Sequence, residues 1–203
     1  MKARILIEEL TQKNIETFST NDLRRLFPKD SNNVTTIISR MVKNGIVIPV
    51  CRGRYRLKQT DIEVEKLAQN IYYPSYISFE SALSKYGIIN QGTYLTTLAT
   101  TRHSKKITID NIECIFRTIK PKLYFGFNLI NGIYIAEAEK AVLDTLYFIY
   151  LGKLKISFTD WYLKDLDITK LKKYANRFDK SFLDYIQKTA FPIVNANFPV
   201  RKK

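Results

Sequence analysis

Residues 31–45, SNNVTTIISRMVKNG, and the run that follows them, IVIPVCRGRYRLK (46–58), decide how this chain is read. Val34, Ile37, Ile38, Met41 and Val42 recur at three- and four-residue spacing. That periodicity is one apolar stripe along a helix. Asp30 or Ser31 is placed to cap its start, and Asn44-Gly45 offers a left-handed stop. The other side carries Asn32, Asn33, Thr36, Arg40 and Lys43, with Thr35 and Ser39 on its flanks. No acid interrupts this face. Amides at one end and cations at the other can hydrogen-bond base edges and phosphates, although an ordinary solvated face has the same polarity.

Working downstream, Ile46 to Cys51 is an apolar strand, Arg52-Gly53 a turn, and Arg54 to Lys58 alternates basic and apolar residues. The pattern predicts a β-hairpin with Tyr55 and Leu57 on one face and Arg54, Arg56 and Lys58 on the other. Working upstream, Ala3 to Lys13 reads as a helix with Leu6 and Leu10 inward, and Ile15 to Phe18 as a short extended stretch. Ser19 stands three residues before Asp22, a capping-box spacing that opens a helix through Leu23, Leu26 and Phe27. Pro28 ends it. Helix, strand, helix, polar-faced helix and basic hairpin, in that order, predict a winged helix-turn-helix over residues 1–60. Its expected DNA-contacting residues are Asn32, Asn33, Thr35, Thr36, Arg40, Lys43, Arg52, Arg54 and Arg56. A winged helix that binds protein is the other reading of the same order.

Charge points the same way. The chain has 203 residues, 33 Lys and Arg against 19 Asp and Glu, and a formal net charge of +14. Residues 1–58 hold 12 basic and 5 acidic side chains, so half of the surplus lies in this small module. A surplus of that kind favours polyanionic partners through Coulomb attraction and counterion release.

Residues 61–203 read as a second domain of mixed α+β type. Ser78 is placed to cap a helix through Phe79, Ala82, Leu83 and Tyr86 that ends at Gly87. Strand-like runs follow at Tyr94 to Thr100, Lys106 to Ile109, Ile112 to Ile119, Tyr124 to Leu129 and Ile133 to Ile135, with Asp110-Asn111 and Asn131-Gly132 as hairpin turns. Glu137 to Leu151 is an amphipathic helix with acids at its start. From Thr159 the chain reads as two or three helices ending near Phe191-Pro192. Strands followed by helices predict antiparallel strands with terminal helices rather than a doubly wound sheet.

No pattern here predicts an enzyme, a cofactor or a metal. His103 is the one histidine, set between Arg102 and Lys105 in an expected loop. Gly-rich phosphate loops, HExxH and CxxC are lacking. Asp165 and Asp167 read as helix caps, because the Gly-Ser turn that precedes such a pair in nucleotidyltransferases is missing. Glu137, Glu139 and Lys140 resemble a nuclease's metal-binding trio, but they also fit the charge preference of a helix N-terminus. A metal-dependent nuclease or nucleotidyltransferase using these carboxylates is therefore the alternative to a regulator. Further basic clusters, Arg102/Lys105/Lys106, Lys170/Lys172/Lys173/Arg177 and the tail Arg201-Lys202-Lys203, would extend a nucleic-acid footprint or lie as solvated faces. Cys51 and Cys114 follow no metal spacing and predict a reduced, cytoplasmic protein. The acid-containing N-terminus does not read as a signal peptide, and the most apolar run, Ala141 to Leu151, is too short to span a bilayer.

Six short segments in order resemble AbiEi-type antitoxins. They are Thr17–Leu23 with Arg40–Ile46 and Arg52–Tyr55, then Tyr76–Leu83 with Gly87-Ile88-Ile89, then Ile135–Asp144, where Ala138 takes the place of the family's usual proline. The resemblance implies a type IV toxin–antitoxin role. It implies autorepression through operator inverted repeats in double-stranded DNA, bound by the N-terminal domain. It also implies a C-terminal domain that counters a nucleotidyltransferase toxin without a stable complex.

Overall fold

The computed structural model describes residues 3–90, 95–157 and 161–189. The expected strand start at Tyr94, the helix start at Thr159, the end at Phe191-Pro192 and the basic tail Arg201-Lys202-Lys203 lie outside the described residues. The chain divides into two compact units. The first is Met1–Leu67 with Ile107–Ile112, and the second is Ala68–Lys106 with Glu113–Lys203. The division falls at Leu67/Ala68, and it assigns the short segment 107–112 to the first unit.

The first unit opens with helix α1 (Ala3–Gln12), then strand β1 (Phe18–Ser19), helix α2 (Thr20–Leu26), a 3-10 turn (Pro28–Asn33), helix α3 (Val34–Lys43) and strands β2 (Val47–Cys51) and β3 (Arg54–Leu57). The strands form one antiparallel sheet in the order β1-β3-β2. A bulge between Pro49 and Cys51 interrupts the β2–β3 ladder, where a proline without an N–H is tolerated. Gly53 makes the turn at a φ of +76°. The core is one cluster, Leu6, Leu10, Phe18, Leu23, Val34, Ile38, Met41, Val47 and Leu57. Ile37, Val42 and Tyr55 pack against it partly buried.

Asp22 fastens the entry to α2. Its Oδ2 accepts from the Ser19 N–H and from the Ser19 hydroxyl, both at 2.8 Å, while Ser19 Oγ accepts from the Asp22 N–H at 3.2 Å. Burial opposes the carboxylate, but the Ser19 bonds and the charges of Arg54 and Arg25 outweigh it and hold Asp22 below its ordinary 3.8. The start of α3 departs from expectation. The chain turns through a 3-10 segment first, so Asn32 and Asn33 precede the helix instead of forming its first turn.

The second unit contains β4 (Ser75–Ile77), α5 (Phe79–Lys85), β5 (Leu95–Thr100), β8 (Phe127–Ile130), β9 (Ile133–Ala136), α6 (Ala138–Tyr150), α7 (Ile168–Ala175) and α8 (Lys180–Thr189). Helix α4 (Val64–Ile71) and strands β6 (Lys105–Ile109) and β7 (Ile112–Thr118) cross the division between units. The sheet runs β6-β7-β5-β4-β9-β8. It is mixed rather than antiparallel: β4 pairs parallel with β9 and β5 parallel with β7, while β4–β5 and β8–β9 are antiparallel. Each parallel pair joins strands that are not consecutive in the chain, as parallel pairing requires. The two expected hairpin turns carry positive φ at both central residues, +47° and +67° at Asp110-Asn111 and +50° and +80° at Asn131-Gly132. That is the twist a two-residue hairpin needs.

α6 is buried almost all round, from Glu139 to Phe148. It therefore carries charge into the core, and that charge is paired. Lys140 and Asp144, at 0% and 1% side-chain exposure, form an ion pair one turn apart. Tyr76 Oη and Ser78 Oγ each donate to Asp144 Oδ2 at 2.9 Å, and Lys140 Nζ donates to Tyr76 Oη at 2.9 Å. The ammonium stands over the rings of Phe125, Tyr76 and Phe178 at 5.0, 5.5 and 5.7 Å. Gly126, at a φ of +71°, leaves room for its stem, since a Cβ there would meet Lys140 Cβ at 3.2 Å. Burial pushes the Lys140 ammonium down despite Asp144, and burial beside Asp144 pushes the Tyr76 hydroxyl well up.

Two expected outcomes follow from these contacts. Ser19→Ala removes the cap and costs about 1 kcal/mol in urea unfolding. It also flattens the acid limb of stability, because the Asp22 contribution is present above 3.8 and is lost as pH falls through the lower folded value. Asp144→Ala strands a buried ammonium and costs about 3–5 kcal/mol, whereas the double change Lys140→Met with Asp144→Leu recovers most of that loss. Equal destabilisation by the single and double changes would show that the pair is not the source.

Candidate nucleic-acid interface

The expected DNA-contacting residues all lie in the first unit, and the local fold sorts them. Val34, Ile38 and Met41 are buried, so the opposite side of α3 must face outward. Thr35, Thr36, Ser39, Arg40 and Lys43 are exposed there, and Asn32 and Asn33 are exposed on the 3-10 turn that leads in. Ser39 Oγ donates to the Thr35 carbonyl at 3.0 Å. Asn33 makes no side-chain cap bond to the helix, so its amide stays available. Arg40 and Lys43 form no ion pair among the described residues. The exposed side of α3 is thus an acid-free surface with amides at its N-terminal approach and two unneutralised cations in its last turn.

The hairpin arginines do not form a matching set. Arg52 is exposed at the turn. Arg54 is half-buried. Its Nη1 reaches Thr17 Oγ1 at 3.4 Å, and its charge helps to hold Asp22 ionised. Arg56 is turned inward, with 13% side-chain exposure. Its Nη1 donates to the carbonyls of Lys58 and Thr60 at 3.1 and 2.8 Å and approaches that of Leu57 at 3.4 Å, while Nη2 meets Asp110 Oδ2 at 3.3 Å. Within the same unit, the Asp110 N–H donates to the Val50 carbonyl at 3.0 Å. Arg56 therefore closes the end of the hairpin and does not join the exposed set. Strand alternation placed it opposite Tyr55 and Leu57, but three carbonyls and a carboxylate engage its two terminal nitrogens there.

α2 adds a feature that periodicity had not singled out. Arg24 and Arg25 lie in its last turn, and both are exposed. Among the described residues Arg24 bonds only Asn21 Oδ1, at 2.9 Å. The sequence signal was the Arg24-Arg25 pair just ahead of Leu26-Phe27-Pro28, at the C-terminal end of a helix that packs on α3.

In the second unit, the residues weighed for metal chemistry are dispersed by the helix. Lys140 points into the core toward Asp144, whereas Glu137 and Glu139 face Lys170, whose Nζ lies 3.2 and 3.4 Å from them. Asn128 Nδ2 donates to Glu137 at 3.0 Å, and Tyr174 Oη donates to its other oxygen. Burial opposes the Glu137 carboxylate, but the bonds from Tyr174, Lys170 and Asn128 prevail and hold it below its ordinary range. Glu139 accepts from the Asp167 N–H at 3.0 Å, and Asp167 caps α7 through the Lys170 N–H at 3.0 Å. Asp165 is exposed and apart from these bonds. No group of three or more His, Cys, Asp and Glu side chains is set to hold a metal among the described residues. No described helix is long and apolar enough to cross a membrane. No protein-family model matches the chain, and no curated protein matches it.

Proposed function

We propose that the first unit is a winged helix-turn-helix that binds double-stranded DNA, with α3 as its recognition helix and β2–β3 as its wing. The observation that carries this reading is the acid-free outward face of α3, formed because its other face is locked into the core. Asn32, Asn33, Thr35 and Thr36 are the base-reading set. Arg40, Lys43 and Arg52 hold phosphates, and Arg24 and Arg25 add positive charge from the preceding helix. Amides suit adenine edges and guanidinium or ammonium groups suit phosphate oxygens, so the division of labour follows from side-chain chemistry.

The protein then acts as a transcriptional regulator. The resemblance of its segments to AbiEi-type antitoxins supports a more specific role: a cytoplasmic, non-enzymatic type IV antitoxin that represses its own operon at inverted repeats and counters a nucleotidyltransferase toxin without binding it stably. The engagement of Glu137, Glu139 and Asp167 in helix capping and lysine pairing supports a structural rather than catalytic use of those carboxylates.

Gel-shift titration of the full chain against the DNA immediately upstream of its own coding sequence tests the module. Arg40→Ala is expected to weaken binding to all duplexes alike and to lower the salt slope by about 1. Asn33→Ala is expected to relax sequence preference, with about 1–3 kcal/mol of discrimination lost at the base it reads. Unchanged binding by both variants would remove α3 from the interface. Separately, co-expression with an adjacent nucleotidyltransferase reading frame is expected to restore growth that the reading frame alone arrests.

A further inference from the structure

The second unit carries a built cationic surface that the regulator reading does not use. Arg102 and Lys105 stand over one ring: the guanidinium carbon lies 4.2 Å and the ammonium 5.0 Å from the centroid of Tyr72. Tyr72 is buried and donates its hydroxyl to the His103 carbonyl at 2.8 Å. Arg102 is held further from its backbone and its side chain. Its N–H donates to Thr100 Oγ1 at 3.1 Å, its carbonyl accepts from Thr118 Oγ1 at 2.7 Å, and its Nη1 donates to the Tyr73 carbonyl at 3.2 Å. Neither Arg102 nor Lys105 has a carboxylate partner among the described residues, whereas the neighbouring Lys106 is paired with Glu113 at 3.0 Å.

Tyr73, whose backbone carbonyl takes the Arg102 bond, leaves 66% of its surface in solvent. It does not stand alone. Burial, with the Tyr73 and Tyr134 hydroxyls close by, pushes the Tyr124 hydroxyl up to about 12. Phe127 joins Tyr124 and Tyr134, its ring 4.9 and 5.8 Å from theirs.

Two fixed cations without a counter-charge repel each other, and an exposed phenol ring keeps apolar surface in water. One ligand relieves both costs, a polyanion whose aromatic faces are free. Bases in a duplex are already stacked on each other, so they offer Tyr73 nothing. Bases in a single strand do offer a face, and the phosphates beside them offer charge to Arg102 and Lys105. We infer that the Tyr73, Arg102 and Lys105 surface binds single-stranded nucleic acid, with Tyr73 stacking on a base and the two cations holding the backbone. This site is separate from α3 and stands whether or not α3 reads duplex DNA.

The test uses the full chain carrying Arg24→Ala, Arg25→Ala, Arg40→Ala, Lys43→Ala and Arg52→Ala, so that the cations assigned to duplex binding in the first unit are silent. A fluorescein-labelled single strand of mixed sequence is titrated by anisotropy at several salt concentrations. Tyr73→Ala in that background is expected to weaken binding about tenfold, and Tyr73→Phe to retain it. Arg102→Ala with Lys105→Ala is expected to flatten the salt dependence. Tyr73 is exposed, so unchanged thermal midpoints confirm that folding is intact. The inference is overturned if the parent does not bind the strand, if Tyr73→Ala binds as the parent does, or if the matched duplex binds as tightly as the single strand.

Discussion

Val34, Ile38 and Met41 are exposed by 5% or less, and their burial settles what the rest of the first unit can present to solvent. A helix of ten residues has three turns, and one stripe of them is spent on the core shared with Leu6, Leu10, Phe18 and Leu23. Truncating any of these aliphatic side chains to alanine removes about 2–5 kcal/mol, a large share of a small unit's stability. Rotation of α3 about its axis is therefore expensive. Thr36, Arg40 and Lys43 face outward because no rotation that buries them keeps the stripe inside.

Features set by neighbouring residues were legible in the sequence. The apolar stripe, the capping box at Ser19 and Asp22, the stop at Gly45 and the turn at Gly53 each rest on residues close in the chain, and each forms as read. The 3-10 entry to α3 was not legible, because Asp30 and Ser31 are both acceptable caps and nothing local distinguishes a tight turn from a first helical turn. The fate of Arg56 was also hidden. Alternation tells which face of a strand a side chain leaves, but not what waits there, and Asp110 comes from a hairpin more than fifty positions later. The mixed pairing of the second sheet was hidden for the same reason: the pairings β4–β9 and β5–β7 are long-range, and composition looks alike for both directions.

Adjacency in sequence misled in a different way on α6. Glu139 and Lys140 are neighbours, yet successive helical residues leave the axis about 100° apart. Lys140 goes to the core with Asp144 one turn on, while Glu139 meets Lys170 and the Asp167 N–H from α7. A carboxylate–lysine motif read along the chain thus separates into two unrelated contacts. One is a buried pair satisfied by Tyr76 and Ser78. The other fastens the N-terminal end of α7 against the start of α6. Removing charge from either would be felt in stability before it was felt in any chemistry.

These contacts also show why net charge alone is a poor guide to a binding face. The chain carries a surplus of +14, but much of its positive charge is already neutralised at home. Lys106 meets Glu113, Arg117 grips Glu80 at 2.5 and 2.8 Å, Lys120 and Lys122 share Asp179 and hold it down to about 2, and Arg56 is enclosed by carbonyls. Arg40 and Lys43 on one unit and Arg102 and Lys105 on the other have no such acid among the described residues. A cation that has found a carboxylate must give it up before it gains a phosphate, so it contributes little to binding. A cation that is positioned without one has no such exchange to make. The surplus matters only where the fold has withheld the partner, and it has done so beside amides in the first unit and beside phenol rings in the second. On the two proposed readings these settings suit different nucleic-acid forms, because amides read base edges in a groove and rings need a base that has left its stack.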